Sequence, residues 1–446
     1  MPIDQQQVRT RFRQLMSPSD GATVASAASR ALGSLGNDRL TRLPVTVRFW
    51  DGSSLVAGPD APVVMVDSPR AVSHLLHQPG ELGLARAWVD GSLTAPGDLE
   101  RVLATRGEFA DISLSIADRF RLALAAARVA GPRVLRRARI PSIEASVRGN
   151  RHSLSRDRRA VRHHYDVSND FYRLVLGPSM VYSCAYFASE QDSLEEAQEH
   201  KLDLISRKLQ LADGERLLDV GCGWGSLPIH AAANYGVRAV GITLSEPQAA
   251  LARDRVALAG LQDRVEIRVA DYRELTDGPF DKIASVGMYE HVGKDQLAGY
   301  VETIAQLLRP GGLFLNHGIA RLYSSMPTKD TFISRYVFPD GELHPVSELT
   351  SLMQSARLEV RDLESLRDHY PLTLRRWVAN LEAHRSEAVR IVGTERERAW
   401  QLYMLGSAQG FEDGEISVYQ VLAARTGGPH HLPLTRSAVT VTAVES

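Results

Sequence analysis

The stretch Arg216–Gly236, "RLLDVGCGWGSLPIHAAANYG", decides the fold. Five residues read as a strand, glycines then fall at every second position, and the segment after them reads as a helix. Gly221, Gly223 and Gly225 thus place G-x-G-x-G in a strand-to-helix turn. Lacking side chains, such a turn bends tightly and brings the backbone close to a nucleotide-like ligand. Dinucleotide folds favour G-x-G-x-x-G, whereas here the third glycine comes one residue sooner. Asp219 precedes the turn, where a carboxylate can face an amino group or organise the loop amides. A strand, a helix, another strand and then "ADYRE" (270–274) follow. That order suits S-adenosylmethionine better than a pyrophosphate. The acidic residue that often ends the second strand and holds a ribose is missing. In its place "GITLSEPQ" (241–248) offers Thr243 and Gln248.

Outward from this turn, residues 161–430 alternate strands and helices in α/β style. "RLLDV", "RAVGITL", "VEIRVA", "FDKIASVG" and "GLFLNHGIA" read as strands. "SLPIHAAANYG", "EPQAALARDRVALAG" and "QLAGYVETIAQLLRPGG" read as helices. Upstream, "PVTVRFWDGSSLVAGPDAPVVMVDSP" reads as strand, Asp-Gly turn, strand. "ISLSIADRFRLALAAARVAG" reads as an amphipathic helix. The expected organisation is an N-terminal α+β domain over 1–130, an arginine-rich linker over 131–160, a doubly wound α/β domain over 161–430, and a loose tail over 431–446.

From Arg133 to Arg162 there are ten arginines against Glu144 and Asp157, a local net charge of +8. A charge run is more often a solvated tether than a binding surface. It would equally contact anionic lipid, at about 1 kcal/mol per basic residue, or nucleic acid, and the run alone does not choose. The whole chain, 446 residues with a net charge of −1, implies no polyelectrolyte partner. Its length favours two domains. Two cysteines, Cys184 and Cys222, are too few for a disulfide framework and fit a reducing compartment. The first twenty residues lack the apolar core of a signal peptide. No apolar run reaches the ~20 residues of a membrane span. The expected location is cytoplasmic, with peripheral contact at the inner membrane face.

Seven segments in order, "MVYSCAYF", "LDVGCGWG", "GITLSEPQ", "ADYREL", "SVGMYEHVG", "LNHGIA" and "RYVFPDGEL", resemble the cyclopropane-fatty-acyl-phospholipid synthase family, which includes the mycolic acid cyclopropane synthases. The resemblance covers residues 160–425 well. It extends more weakly to "GELGLARAWVDGSL" (80–93), which is similar to the longer, phospholipid-acting members. It implies a doubly wound S-adenosylmethionine-dependent methyltransferase with a smaller N-terminal lipid-handling domain. The implied reaction moves a methyl carbon to the cis double bond of an acyl chain through a carbocation, with bicarbonate as base. The site must align a poor nucleophile and exclude water.

By the same resemblance, Glu290 orients the bicarbonate. Cys184, His317, the backbone of Ile319, and Tyr370 of "DHYPLTL" complete its cage. Thiol, imidazole and phenol are all able to donate to a small trigonal anion. Tyr165, Tyr289, Tyr336 and Phe338 supply aromatic faces for a cationic centre. The implied cofactor contacts are Tyr182, Ser183, Asp219, Gly221, Gly223, Thr243, Leu244, Gln248 and Tyr272. Apart from the resemblance, Cys184 reads as a small buried apolar residue and His317 as a satisfied core histidine. His291 beside Glu290 lacks a second pair at ligand spacing, so no metal is expected. Some relatives carry a late cysteine proposed as active; Ser407 stands at that place here.

The implied product is a cyclopropane acyl chain. The alternative is an exo-methylene branch, which a flavin or nicotinamide reductase partner would convert to a methyl branch. The implied partners are membrane phospholipid acyl chains and an anionic membrane surface; a homodimer is compatible with the family, and no nucleic acid is expected. Two other classes compete. One is methylation of a small polar molecule or a base, for which the Asn/Asp-Pro-Pro-aromatic motif is absent. The other is a catalytically dead lipid-binding protein, against which the complete set Cys184, Glu290, His317 and Tyr370 argues.

Overall fold

In a computed structural model of the chain, the residues described are 23–33, 43–97, 99–109, 127, 128, 130–145, 168–323, 331–339 and 341–436. The chain divides into two compact units. The first comprises residues 1–144 with the short segments 330–332 and 393–406; the second comprises 145–329, 333–392 and 407–446.

The first unit holds a four-stranded sheet in the order β2-β1-β3-β4. Its strands are β1 (Thr46–Phe49), β2 (Ser54–Leu55), β3 (Val63–Val66) and β4 (Leu93–Thr94), with helices α1 (Val24–Gly33), α2 (Pro69–His77) and α3 (Glu81–Val89). The Asp-Gly turn forms as read. The Asp51 carboxylate accepts the Ser53 hydroxyl at 2.6 Å and the Val24 amide at 2.8 Å. The first unit runs on to Glu144, past the boundary expected at 130. Residues 131–144 pack into this unit instead of linking. Ser73 Oγ donates to the Arg136 carbonyl at 2.5 Å and accepts the Ala138 amide at 3.0 Å. Arg86 grips Glu144 with two hydrogen bonds of 2.8 and 2.6 Å. Segment 393–406 joins because Trp88 Nε1 donates to the Arg398 carbonyl at 2.9 Å, with the Arg398 guanidinium over the indole. Of the helix expected at 112–131, residues 112–126 and 129 lie outside the described residues, while Ala127, Arg128 and Ala130 are helical; the arginines of the run from 148 onward also lie outside.

The second unit is a seven-stranded sheet in the order β10-β11-β9-β8-β5-β6-β7. The strands are β5 (Arg216–Val220), β6 (Arg238–Thr243), β7 (Val265–Val269), β8 (Phe280–Val286), β9 (Leu308–Arg321), β10 (Leu358–Ser365) and β11 (Ile416–Arg425). β9, β8, β5, β6 and β7 run parallel; β11 pairs antiparallel with both β9 and the edge strand β10, so β11 alone opposes the rest. Helices α4 (Asn169–Leu176), α5 (Leu194–Lys208), α6 (Ser226–Tyr235), α7 (Glu246–Leu258), α8 (Lys294–Leu307), α9 (Val346–Ser355) and α10 (His369–Ala383) belong to this unit. Successive strand residues serve opposite cores, as the two-residue period requires. Leu217, Leu313 and Leu315 pack with α5, α6 and α7. Leu218, Phe314 and Val240 pack with α8 and α9. Burying each such side chain stabilises by roughly 1.5–3 kcal/mol.

The doubly wound α/β expectation holds, with two differences. The helix read through "RPGG" ends at Leu307, where Pro310 and a left-handed Gly311 leave the segment to β9. β10 and β11 were not read from sequence. Strand order reverses on either side of β5, so a crevice opens beyond its carboxyl end.

Candidate active site

β5 delivers the glycine turn into that crevice. Gly221, Gly223 and Gly225 have φ of +87°, +54° and +79°. A Cβ on Gly223 would meet no protein atom within 4 Å. Glycine there therefore serves conformation and access, not packing. The amides of Gly221 and Cys222 donate to the Ile242 carbonyl at 3.0 and 2.9 Å, tying the turn to the end of β6. Arg255 of α7 holds the far side, donating to the Trp224 carbonyl at 2.6 Å and the Ser179 carbonyl at 3.0 Å.

One cavity lies against this turn. Tyr182, Ser183, Asp219, Gly221, Gly223, Thr243, Leu244, Gln248 and Tyr272, the full set expected to meet a cofactor, all line it. Thr243 donates its hydroxyl to Gln248 Oε1 at 2.8 Å, which turns the glutamine nitrogen into a donor for the cavity. Asp219 is 2% exposed and its Oδ1 has no partner among the described residues. Burial pushes its carboxyl up to about 7, partly opposed by the Lys201 charge. Lys201, also 2% exposed, lines the same cavity and donates to Ser183 Oγ at 3.0 Å. Burial brings its ammonium down to about 8. A buried carboxylate with a free oxygen and a buried ammonium in one cavity match the zwitterionic methionyl end of S-adenosylmethionine. Leu244, Ile242, Val286 and Val292 supply apolar wall.

The other expected residues lie off the cavity lining: Glu290, His317 and Ile319 at β8 and β9, Cys184 ahead of α5, and Tyr370 on α10. Glu290 follows β8 in a short helical turn, Tyr289–His291. Its Oε1 accepts the Ile319 amide at 2.7 Å, and its buried Oε2 has no partner among the described residues. Burial pushes this carboxyl up to about 7, although the Ile319 amide pulls the other way. His317 is two residues from Ile319 on β9. Its Nδ1 lies 3.2 Å from Gln420 Nε2, and its buried Nε2 has no partner among the described residues. Gly318, between them, is fixed by packing: a Cβ there would lie 2.1 Å from the Tyr289 ring. That ring in turn donates its hydroxyl to the Ile319 carbonyl at 2.7 Å.

Two residues of the expected cage are engaged otherwise than the resemblance implies. The Ile319 amide is given to Glu290, so Ile319 acts through that carboxylate. The Cys184 sulfur is fully buried and turned toward the carbonyls of Ala185 at 3.3 Å and Leu366 at 3.7 Å. Burial pushes its thiol well up, so it stays protonated. Leu366 donates its amide to Val418, the strand partner of Ile319, which places Cys184 beside the same strand pair. Tyr370 of α10 packs on Phe411 and Trp377, with centroids at 4.5 and 6.3 Å. Of the aromatic faces considered, Tyr289 is spent on Gly318 and Ile319, Phe338 meets His291 at 5.5 Å, and Tyr165 lies outside the described residues. Ser407 sits on the helix Thr394–Glu412.

Residues 152–421 match the mycolic acid cyclopropane synthetase family. The chain belongs to this family. It is 42% identical over 406 residues to a probable fatty acid methyltransferase (Rv3720) of Mycobacterium tuberculosis, covering 88% of this chain and 94% of that one. It is 32% identical over 422 residues to the tuberculostearic acid methyltransferase UfaA1 of the same organism, covering 91% and 93%. Among solved structures it resembles the mycolic acid cyclopropane synthase CmaA1 complexed with SAH and CTAB. That match has a TM-score of 0.57 and 34% identity, and covers 60% of this chain and 98% of that one. The family member described here is an S-adenosylmethionine-dependent methyltransferase.

Several residues escaped the sequence reading. Lys201, Trp224, Asp271, Arg273, Met288 and His291 line the cavity too. Asp271 is buried and bound in two hydrogen bonds by Arg273, at 2.8 and 2.7 Å. Lys201 had a legible signal. It and Lys208 stand seven residues apart on α5, on the stripe that also buries Ala197, Leu204 and Ile205. Charged residues on an apolar stripe are rarely there for packing alone.

Proposed function

We propose that this enzyme methylates the cis double bond of an unsaturated phospholipid acyl chain and closes it to a cyclopropane. The observation that carries this reading is the pair of unpartnered buried atoms, His317 Nε2 on β9 and Glu290 Oε2 on the turn that hydrogen-bonds to β9 at Ile319. S-adenosylmethionine supplies an electrophilic methyl that the alkene π pair takes up, leaving a cation on the acyl chain. The enzyme's own tasks are then to exclude water and to take a proton from the added methyl, whose C–H pair closes the ring. Bicarbonate fits as the base: it needs a donor and a group with which to share a proton. His317 Nε2 is placed for the first. Glu290, with its carboxyl near 7, suits the second. By the family resemblance Cys184 and Tyr370 would border the base, and Asp219 and Lys201 would hold the amino-acid end of the cofactor.

A fatty acyl chain of ordinary length rather than a mycolic acid is supported by the lengths matched. The two fatty acid methyltransferases align along nearly the whole chain, whereas CmaA1 aligns to 60% of it. The first unit is then a lipid-handling domain. Its exposed run Leu135, Arg136, Arg137, Arg139 and Ile140 suits an anionic membrane surface, with apolar residues flanking cations. Exchanging those three arginines for glutamine is expected to weaken binding to anionic vesicles but not to neutral ones. Equal binding of both proteins to anionic vesicles overturns the membrane role. No helix among the described residues is long and apolar enough to cross a membrane.

The full-length match to UfaA1 favours a second reading, the exo-methylene product followed by a separate reductase. One experiment separates the two. The protein is expressed in a bacterium lacking its own cyclopropane enzyme and fed a cis-unsaturated fatty acid, and the phospholipid acyl chains are analysed by mass spectrometry. A gain of one CH2 that survives hydrogenation as a ring establishes the cyclopropane. The same gain yielding a methyl branch on hydrogenation establishes the methylene product. No gain, with cofactor binding intact, removes acyl chains as the substrate.

A further inference from the structure

His317 does not stand alone. It forms one rung across four strands: Glu364 of β10 pairs Gln420 of β11, which pairs His317 of β9, which pairs Val286 of β8. Lys208, at the end of α5, enters this rung from the helix layer. It is 1% exposed, yet its ammonium contacts Glu364 and donates to Gln420 Oε1 at 2.7 Å, with Asp362 at 3.8 Å. Gln420 in turn sets its Nε2 3.2 Å from His317 Nδ1. Gln420 itself has no exposed surface, so water does not compete for these groups.

The chemistry of the chain leaves one arrangement. An ammonium held by two carboxylates only donates, so the Gln420 atom facing it must be the carbonyl oxygen. The other terminal atom of Gln420 is then –NH2, which only donates. The ring nitrogen it meets, Nδ1, must therefore accept. A neutral imidazole with Nδ1 accepting carries its proton on Nε2. Burial together with the nearby charges of Lys201 and Lys208 keeps this ring neutral. Nε2 is the atom without a partner.

We infer that the Glu364–Lys208–Gln420 row is a positioning device that fixes the tautomer of His317, so that Nε2–H is presented as a donor to an anion held with Glu290. The tautomer follows from the hydrogen-bond row alone; the anion rests on the function proposed above. Lys208 and Gln420 touch neither cofactor nor acyl chain in this scheme, and they act through His317.

The test reads the tautomer directly. In 15N-labelled full-length protein, long-range 15N–1H correlation, assigned by loss of signals in His317→Gln, is expected to show a protonated Nε2 and an unprotonated Nδ1. Wild-type protein with the proton on Nδ1 overturns the inference, whatever any variant does. Gln420→Glu keeps a partner for Lys208 but offers His317 only an acceptor. It is expected to move the proton to Nδ1 and to lower kcat by about tenfold or more, while S-adenosylhomocysteine binding stays within about twofold of wild type by calorimetry. An unchanged tautomer in Gln420→Glu, or an inverted one with unchanged kcat, overturns the positioning role. Should that variant not fold, Lys208→Met, which frees the Gln420 amide to flip, is expected to give mixed tautomers. Failure of the functional reading looks different: the wild-type tautomer would be as described, with no product on any lipid.

Discussion

The cofactor cradle and the Glu290–His317 pair, the pocket of the proposed reaction, share one sheet but are built in opposite ways. The cradle is made of short runs, Tyr182–Ser183, Asp219–Trp224, Thr243–Leu244 with Gln248, and Asp271–Arg273, each at the end of its own strand or loop. The pocket is made of single residues whose orientation is decided elsewhere. Glu290 is set by a strand amide, His317 by a glutamine itself hydrogen-bonded to a helix lysine, and Tyr289 by the absence of a side chain at Gly318. Binding a rigid cofactor needs backbone shape. Moving a proton needs polar atoms left deliberately unpaired, which only a surrounding network can hold in place.

If that division is right, a substitution in the pocket should abolish turnover and spare cofactor affinity. Glu290→Gln keeps the acceptor for the Ile319 amide and removes the titrating proton. Turnover is expected to fall by about 10²–10³-fold, with S-adenosylhomocysteine affinity within about twofold by calorimetry. A comparable loss of cofactor affinity would merge the two regions into one and break the comparison.

The division also explains what could be read from sequence. The G-x-G-x-G turn, Asp219 and the Thr243–Gln248 pair were legible because positive φ and strand-end position leave residue types behind. β10 and β11 were not, although β10, "LEVRDLES", alternates half-buried and exposed after a buried Leu358. β11 is buried nearly throughout and lacks that alternation. Without β11 there was no Gln420 beside His317, so the histidine looked like an isolated core residue. Ile319 was read as a direct backbone donor because the register that hands its amide to Glu290 exists only in the folded sheet. The segment 131–144 was read as a linker from its charge, but Ser73 anchors it through the Arg136 carbonyl and the Ala138 amide, and Arg86 through Glu144.

The two regions share one electrostatic property, a buried carboxyl. Asp219 and Glu290 both sit near 7 in the folded chain, far above their ordinary values of 3.8 and 4.5. Between those limits the folded state holds protons that the unfolded chain has released. Stability from these groups is therefore full below about pH 4 and is lost as pH rises toward 7, at up to about 1.4 kcal/mol per pH unit for each group. Urea midpoints of cofactor-free protein at pH 5 and 7.5 are expected to fall less in Asp219→Asn,Glu290→Gln than in wild type. Parallel slopes for the two proteins would show that neither carboxyl is protonated in the fold.

In the cradle, backbone shape should matter more than chemistry. Gly223→Ala meets no atom of the protein, but it forces a residue with a Cβ into the left-handed region at about 1–2 kcal/mol. It also places a methyl where the ligand approaches. The expected result is a folded protein with S-adenosylhomocysteine bound roughly tenfold more weakly, and with kcat little changed at saturating cofactor. A collapse of kcat at saturation would mean that the turn also shapes the reaction, which the division above denies.

Cys184 sharpens the comparison from the other side, because it lies in the pocket by resemblance but not by hydrogen bonding. Its sulfur is directed at the Leu366 and Ala185 carbonyls, its thiol is held protonated by burial, and no surface of it is exposed. A thiol so placed neither attacks nor titrates; it packs, and it donates weakly to one carbonyl. Serine keeps the donor and strengthens that hydrogen bond, at the cost of a slightly smaller and more polar side chain. Cys184→Ser is therefore expected to retain turnover within about fivefold, with an unchanged pH profile and unchanged cofactor affinity. A loss approaching that of Glu290→Gln would show that the sulfur reaches the reacting atoms. The pocket would then have to rearrange when its ligands bind, turning Cys184 away from Leu366 and toward the anion.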